Sequence, residues 1–366
     1  MTYCAGMPTH IRLATAEAAA NAGQATDWPP RAERVARMRA LVGDADPSVR
    51  PLTVGLRAIT HRSYNRWVMP LIQAHWPALD TDPFGLKLRL AACNLYGSAP
   101  YTVLLCAPHR PLFFQLVSRV GNALPLPPRG LARLGKAAIG MLDWLPGYDP
   151  THRRIILIAS FIATIDHCFD HLMDEPPAER GRLVKQLIDG QWQPDSPHLR
   201  LARALRDEMC RDLAVHERQP YADAMRTLHA WVDSEVASLQ GTEDPTGLSH
   251  RLAGIEGTID GLLVAVKHYA GDAARAWMID VSLFVQMLDD WIDLEGDLET
   301  GLRTPVALGH WTYDDIAAAW RRTVQGLEDL VRSAGLTAPG YVGLLREAYI
   351  LMLREVVEGM ADRSAD

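Results

Sequence analysis

Five cysteines in 366 residues, an odd number with no Cys-x-x-Cys pair among them, argue against a disulfide framework and against a zinc ribbon. They read as reduced thiols. No apolar run is long enough to span a bilayer; the longest, 155–165, falls well short of the ~20 residues a spanning helix needs. No basic block offsets the net charge of −7, which disfavours a nucleic-acid partner. The N-terminus lacks a charged start followed by an apolar core, so no secretory signal is expected and the expected location is the cytoplasm. Alternating strand patterns, hairpin turns and a fixed-period repeat are missing too, which leaves an all-α chain.

What is present fits that class. Apolar residues make up 48% of the chain, enough for a sizeable core. Residues 1–27 are rich in Ala, Thr and Gly and read as a loosely ordered tail, and 28–366 as one large helical domain. Punctuation by Pro, Gly and Asp predicts helices over 31–42, 51–76, 84–96, 113–121, 130–142, 155–175, 178–188, 198–215, 219–240, 248–270, 272–297, 314–333 and 340–360. The stretch 97–112 carries several prolines and a short apolar run and receives no assignment.

Two helices carry the chemistry. In the one expected over 272–297, Asp289, Asp293 and Asp297 recur every fourth residue. Four residues advance a helix by only about 40°, so the three carboxylates share a face, with Gln286 one turn before them and Asp290 at their flank. The preceding turns are apolar. Stacked carboxylates repel one another, more so when shielded from water, and a cation is expected to hold them. The helix over 155–175 repeats the device with Asp166, Asp170 and Asp174, above an apolar wall of Ile156, Ala159, Ile162 and Ala163. An oxygen-only donor set of this kind suits Mg²⁺ together with waters and a substrate phosphate. Two such helices face to face would enclose an apolar pocket with an acidic mouth.

At these ladders the chain resembles the class I isoprenoid synthases: trans-prenyl diphosphate synthases, squalene and phytoene synthases, and class I terpene synthases. Gln286-x-x-Asp289-Asp290-x-x-Asp293-x-x-Gly296-Asp297 is similar to the second aspartate-rich motif of the prenyl diphosphate synthases. The first ladder is a looser relative of their first motif, and Asp170-His171-Leu172-Met173-Asp174 also resembles the motif of bacterial tetraprenyl-β-curcumene synthases. The likeness covers roughly residues 150–305. It implies a helical bundle of the isoprenoid synthase type around a central apolar cavity. Mg²⁺, three ions in that family, would be held by Asp166, Asp170, Asp174, Asp289, Asp290, Asp293 and Asp297. Asp166, Asp170, Asp289 and Asp293 would be the catalytic set, and Gln286, Arg303 and Lys267 the candidates for gripping diphosphate. Phe161, five residues before Asp166, stands where that family limits chain depth.

The departures set the expected reaction. Gly-Lys-x-x-Arg near the N-terminus and Arg-Arg-Gly after the first ladder, which bind the second diphosphate in chain-elongating relatives, are missing; Arg180-Gly181-Arg182 is a weak substitute. This favours ionising one linear prenyl diphosphate, then cyclising or quenching the cation: a terpene synthase, a carbon–oxygen lyase. The alternative is a prenyltransferase, elongating or head-to-head. Remoter readings are a helical di-iron carboxylate oxidase, which wants Glu-x-x-His pairs, and an inactive relative. A homodimer is possible in either leading case.

Overall fold

The computed structural model describes residues 28–107, 109, 112–141, 148–193, 195–211, 215–240, 245–266, 269–300 and 304–363. The expected tail, 1–27, lies outside them. Among the described residues every regular element is helical and no strand occurs. In chain order the helices are α1 (Arg31–Val42), α2 (Arg50–Trp67), α3 (Met69–His75), α4 (Pro83–Leu90), α5 (Ala99–Cys106), α6 (Leu112–Ala123), α7 (Pro128–Met141) and α8 (Tyr148–His171). The second half adds α9 (Pro177–Asp189), α10 (Pro197–Arg211), α11 (Val215–Leu239), α12 (Pro245–Leu263), α13 (Asp272–Ile292), α14 (Leu294–Thr300), α15 (Tyr313–Ser333) and α16 (Pro339–Arg363).

Proline opens α4, α7, α9, α10, α12 and α16. It fits there because the first-turn N–H has no intrahelical partner and the fixed φ is already helical. A reciprocal capping box starts α15: Asp315 accepts from the Thr312 N–H at 2.8 Å, and Thr312 Oγ1 accepts from the Asp315 N–H at 3.4 Å. Gly190 ends α9 at φ +73°, in the left-handed region. A Cβ there would also meet the Arg206 guanidinium at 2.3 Å. The positive φ calls for glycine, whereas the Arg206 side chain could give way.

Two expected helices need correction, and the unassigned stretch is filled. The single helix over 51–76 is two, α2 and α3, because Pro70 lacks an N–H and its ring disfavours a continuous helix. The helix over 84–96 ends at Leu90 and widens into a π turn, Ala91–Leu95, closed by Tyr96 N–H to Ala91 O at 2.8 Å. The unassigned stretch holds α5, whose Pro100, Tyr101, Val103, Leu104 and Cys106 are all buried. A short helix that is apolar on every side leaves no periodic signal.

α8 runs through the core. Ile155 to Ile165 is buried without a break, and the helix packs against α2, α9, α10 and α12. α11 and α12 form a closely packed pair, α13 packs on α15, and α12 touches both α8 and α13. Those two helices, which carry the ladders, are thereby bridged by a third. A separate cavity of about 360 Å³ lies between α2, α5, α6, α7 and α16, lined by Leu56, Tyr101, Phe114, Val117, Leu345 and Met352 among others. No residue of α8 or α13 lines it, so it is distinct from the pocket expected between the ladders.

Candidate active site

Asp166 and Asp170 stand one turn apart on the last two turns of α8. Asp166 carries accessible surface, yet burial is the first cause raising its pKa well above the carboxylate range. The carboxylate is thus open to solvent at its tip and crowded by protein around it. The next causes are the negative charges of Asp170, Glu235 and Asp289, with Lys87 opposing them. Asp289 belongs to α13, so the two ladders meet in one electrostatic field. Asp170 is raised by burial too, and Arg180 and Lys87 pull it back down.

Asp174 departs from the expected ladder. α8 stops at His171 because Pro176 and Pro177 cannot continue it, and Asp174 sits exposed in the following turn. It therefore does not stack on the face of Asp166 and Asp170.

The second ladder is also interrupted. α13 ends at Ile292, Asp293 is its C-cap at φ −92° and ψ 8°, and α14 begins at Leu294. Arg34 on α1 caps the break. Its Nε donates to the carbonyl of Trp291 at 2.8 Å and its Nη2 to that of Ile292 at 3.3 Å, taking acceptors that a continuing helix would use. The hydrogen bonds of the aspartates themselves persist: Asp293 N–H reaches Asp289 O at 2.9 Å and Asp297 N–H reaches Asp293 O at 3.1 Å. Asp297 so remains in the group. Burial, then Asp290, raises its pKa to about 6, against a hydrogen bond from Thr304 Oγ1 at 3.3 Å.

Asp290 faces inward. Its Oδ1 accepts from Arg251 Nη2 at 2.7 Å and from Gln286 Nε2 at 2.9 Å, while Oδ2 is buried with no hydrogen-bond partner. Burial raises its pKa and Arg251 opposes this. Gln286 is thus engaged with Asp290. Burial acts against the Arg251 charge, but Asp290, Glu235, Asp289 and Asp297 outweigh it, and the guanidinium stays protonated. Glu235 on α11 is raised by burial first, then by Asp290 and Asp170 against Arg251.

Glu235, Arg251 and Lys87 had not stood out in the sequence. A signal existed for two of them. Arg251 occupies the buried stripe Arg251-Ile255-Ile259-Leu262 of α12, and Glu235 follows Leu228 and Val232 on α11. A charge on an apolar stripe is an anomaly. Lys87 is exposed at the surface of α4 and carries no such mark. Arg180 is buried at the start of α9, donates to Met173 O at 3.0 Å and lies 5.1 Å over the Phe169 ring. Arg303 and Lys267 lie outside the described residues.

The histidines beside the first ladder have another occupation. His167 stacks on Phe84 with centroids 3.7 Å apart and its Nε2 shares a hydrogen bond with His198 Nδ1 at 3.0 Å. Burial, then His198, lowers its pKa to about 4. Phe161 is fully buried in the core of α8.

Among the described residues no three His, Cys, Asp or Glu side chains are placed to cage a metal unaided. Mg²⁺ ordinarily takes one or two carboxylates and completes its shell with water and phosphate. Desolvated carboxylates that raise one another's pKa fit such an ion, and the absence of sulfur or imidazole in the set disfavours zinc or copper. No protein-family model matches the chain, and a search of curated proteins found no match.

Proposed function

We propose that the chain is a Mg²⁺-dependent class I terpene synthase, with an isoprenoid synthase-type bundle, that ionises a linear prenyl diphosphate and cyclises or quenches the resulting cation. The observation that carries this reading is that Asp166 on α8 and Asp289 on α13 lie near enough for the charge of Asp289 to raise the pKa of Asp166.

Asp166, Asp170, Asp289 and Asp293 are the residues that would hold the metal, with Asp297 beside them. Mg²⁺, when bound, supplies Lewis-acid stabilisation of the departing diphosphate. Arg251 favours the ionised forms of Asp290 and Glu235 beneath the ladder. Lys87 and Arg180 bring positive charge to the first ladder, where phosphate oxygens would lie. Below the carboxylates Ala159, Ile162 and Ala163 are buried and apolar, an environment that excludes water from a carbocation.

Lys87 and Arg180 also favour a second reading. Cations beside the first ladder suit a chain with two diphosphates to hold, which is the need of a prenyltransferase. Incubation with Mg²⁺ and farnesyl, geranylgeranyl or longer prenyl diphosphates, with and without isopentenyl diphosphate, separates the two. A hydrocarbon or alcohol from one substrate supports the synthase; a longer diphosphate formed only with isopentenyl diphosphate supports the transferase. Failure to release diphosphate from any chain length would sink both.

A further inference from the structure

From Pro83 to Leu142 the chain contains no Asp or Glu, while Lys87, Arg89, Arg110, Arg119, Arg129, Arg133 and Lys136 are spread along it. In a protein of net charge −7 this segment is a positive island. It includes α6 and α7. On α6, Leu112, Leu116 and Val120 recur every fourth residue on one face and are 80%, 59% and 44% exposed. Leu134 and Met141 on α7 are 44% and 60% exposed. Arg119, Arg129, Arg133 and Lys136 are exposed on the same two helices.

This apolar surface is not a side of the core turned outward by accident. α6 buries Phe114 and Ser118, and α7 buries Leu131 and Ala132, so each helix already has an inner face. The exposed residues are an additional apolar face. Leu116, Val120, Leu134 and Met141 are also lining residues of the 360 Å³ cavity, which places its mouth on this surface.

We propose that the α6–α7 surface docks the protein peripherally on an anionic phospholipid bilayer, with the cavity mouth turned toward the lipid. Interfacial helices combine these features, apolar side chains entering the acyl boundary and Lys or Arg at the headgroups. Arg119 stands beside Leu112, about 20° outside the arc of the exposed α6 residues, where its long stem can lie along apolar surface with the charge at the headgroups. No helix of the described residues is long and apolar enough to cross a membrane, so the attachment is superficial. A second copy of the chain is a poorer occupant. A two-fold contact would set the same patch against itself, cation against cation. The proposal needs nothing from the aspartates and stands apart from the reaction assigned to them.

Flotation of the full chain with vesicles tests it. Phosphatidylcholine vesicles are compared with vesicles containing about one third phosphatidylglycerol, whose surface potential attracts basic residues. The protein is expected to float with the anionic vesicles, to remain below with the neutral ones, and to be released at about 1 M salt, where the Debye length is ~3 Å. The triple variant Arg129→Glu, Arg133→Glu, Lys136→Glu should weaken partitioning at least roughly tenfold. The variant Leu112→Ser, Leu116→Ser should weaken it at low salt as well. All five positions are exposed, and unchanged circular dichroism and melting would confirm that the variants fold. Absence of flotation, equal flotation with both vesicles, or variants that bind like the parent would overturn the proposal. So would a dimer in solution that the charge reversal dissociates, because protein would then cover the face.

Discussion

Arg34 in the first helix donates to the main-chain carbonyl of Trp291, 257 residues away, at 2.8 Å. It is almost fully buried, at 1% exposure, and its Nη1 also meets Glu295 at 3.2 Å. Removing it leaves two carbonyls at the end of α13 without their donor. Arg34→Met is expected to cost about 2–4 kcal/mol, since charged hydrogen bonds are worth roughly 1.5–3 kcal/mol each. Urea unfolding measures the loss. Arg34→Lys should recover little of it, because one ammonium cannot reproduce the planar fork.

The Arg251–Asp290 pair, at 2.7 Å and almost out of reach of water, behaves differently when one or both partners go. Arg251→Met should destabilise by about 3–5 kcal/mol, as it leaves a buried carboxylate uncompensated. Adding Asp290→Leu should return part of that loss. The recovery is incomplete because Glu235 also faces Arg251. A double-mutant cycle on unfolding free energies reads the coupling directly. Additive losses would mean that the two charges do not sense each other.

Asp166→Asn and Asp289→Asn separate activity from stability. Like charges and burial already disfavour the Asp166 carboxylate, so its amide should melt no lower than the parent protein. Turnover of a prenyl diphosphate should fall by at least about a hundredfold in either variant, since each removes a candidate metal-binding carboxylate. Unchanged turnover in both would refute the assigned roles.

Asp297 and His167 predict opposite slopes of stability with pH. Asp297 titrates near 3.8 when unfolded and about 6 when folded, so the folded state holds the proton more tightly and stability falls as pH rises through that window. His167 titrates near 6.5 unfolded and about 4 folded, so stability is lost as pH falls from 6.5 toward 4. The two tend to cancel in the parent protein. Asp297→Asn removes one of them. Its stability relative to the parent should climb between about pH 4 and 6 and level off above, as read from urea unfolding without metal.

The all-α class was legible because burial in helices leaves a period in the sequence, and the expected ladders rested on a four-residue spacing of carboxylates above apolar turns. The charge of Asp289 reaches Asp166 across two helices. What escaped was long-range. Gly296 is a weak local breaker near residue 293, but the cap on the break comes from Arg34 on another helix. Asp174 lies past the end of α8, because the prolines after it end the helix a turn earlier than the carboxylate spacing suggests. α5 escaped for the opposite reason, being too uniformly apolar to show a face. Lys87 remains unreadable from sequence, since a lysine near a carboxylate cluster looks like any other lysine until the fold brings them together.

The break after α13 carries a consequence for how this chain can be divided. Every ladder aspartate lies downstream of Tyr148, so a truncation beginning there would keep both motifs intact on paper. It would discard Arg34, and with it the clamp at the end of α13 beside Asp293. Grafting the motif-bearing half onto another scaffold would transplant the acids and leave behind the donor that caps the carbonyls between them.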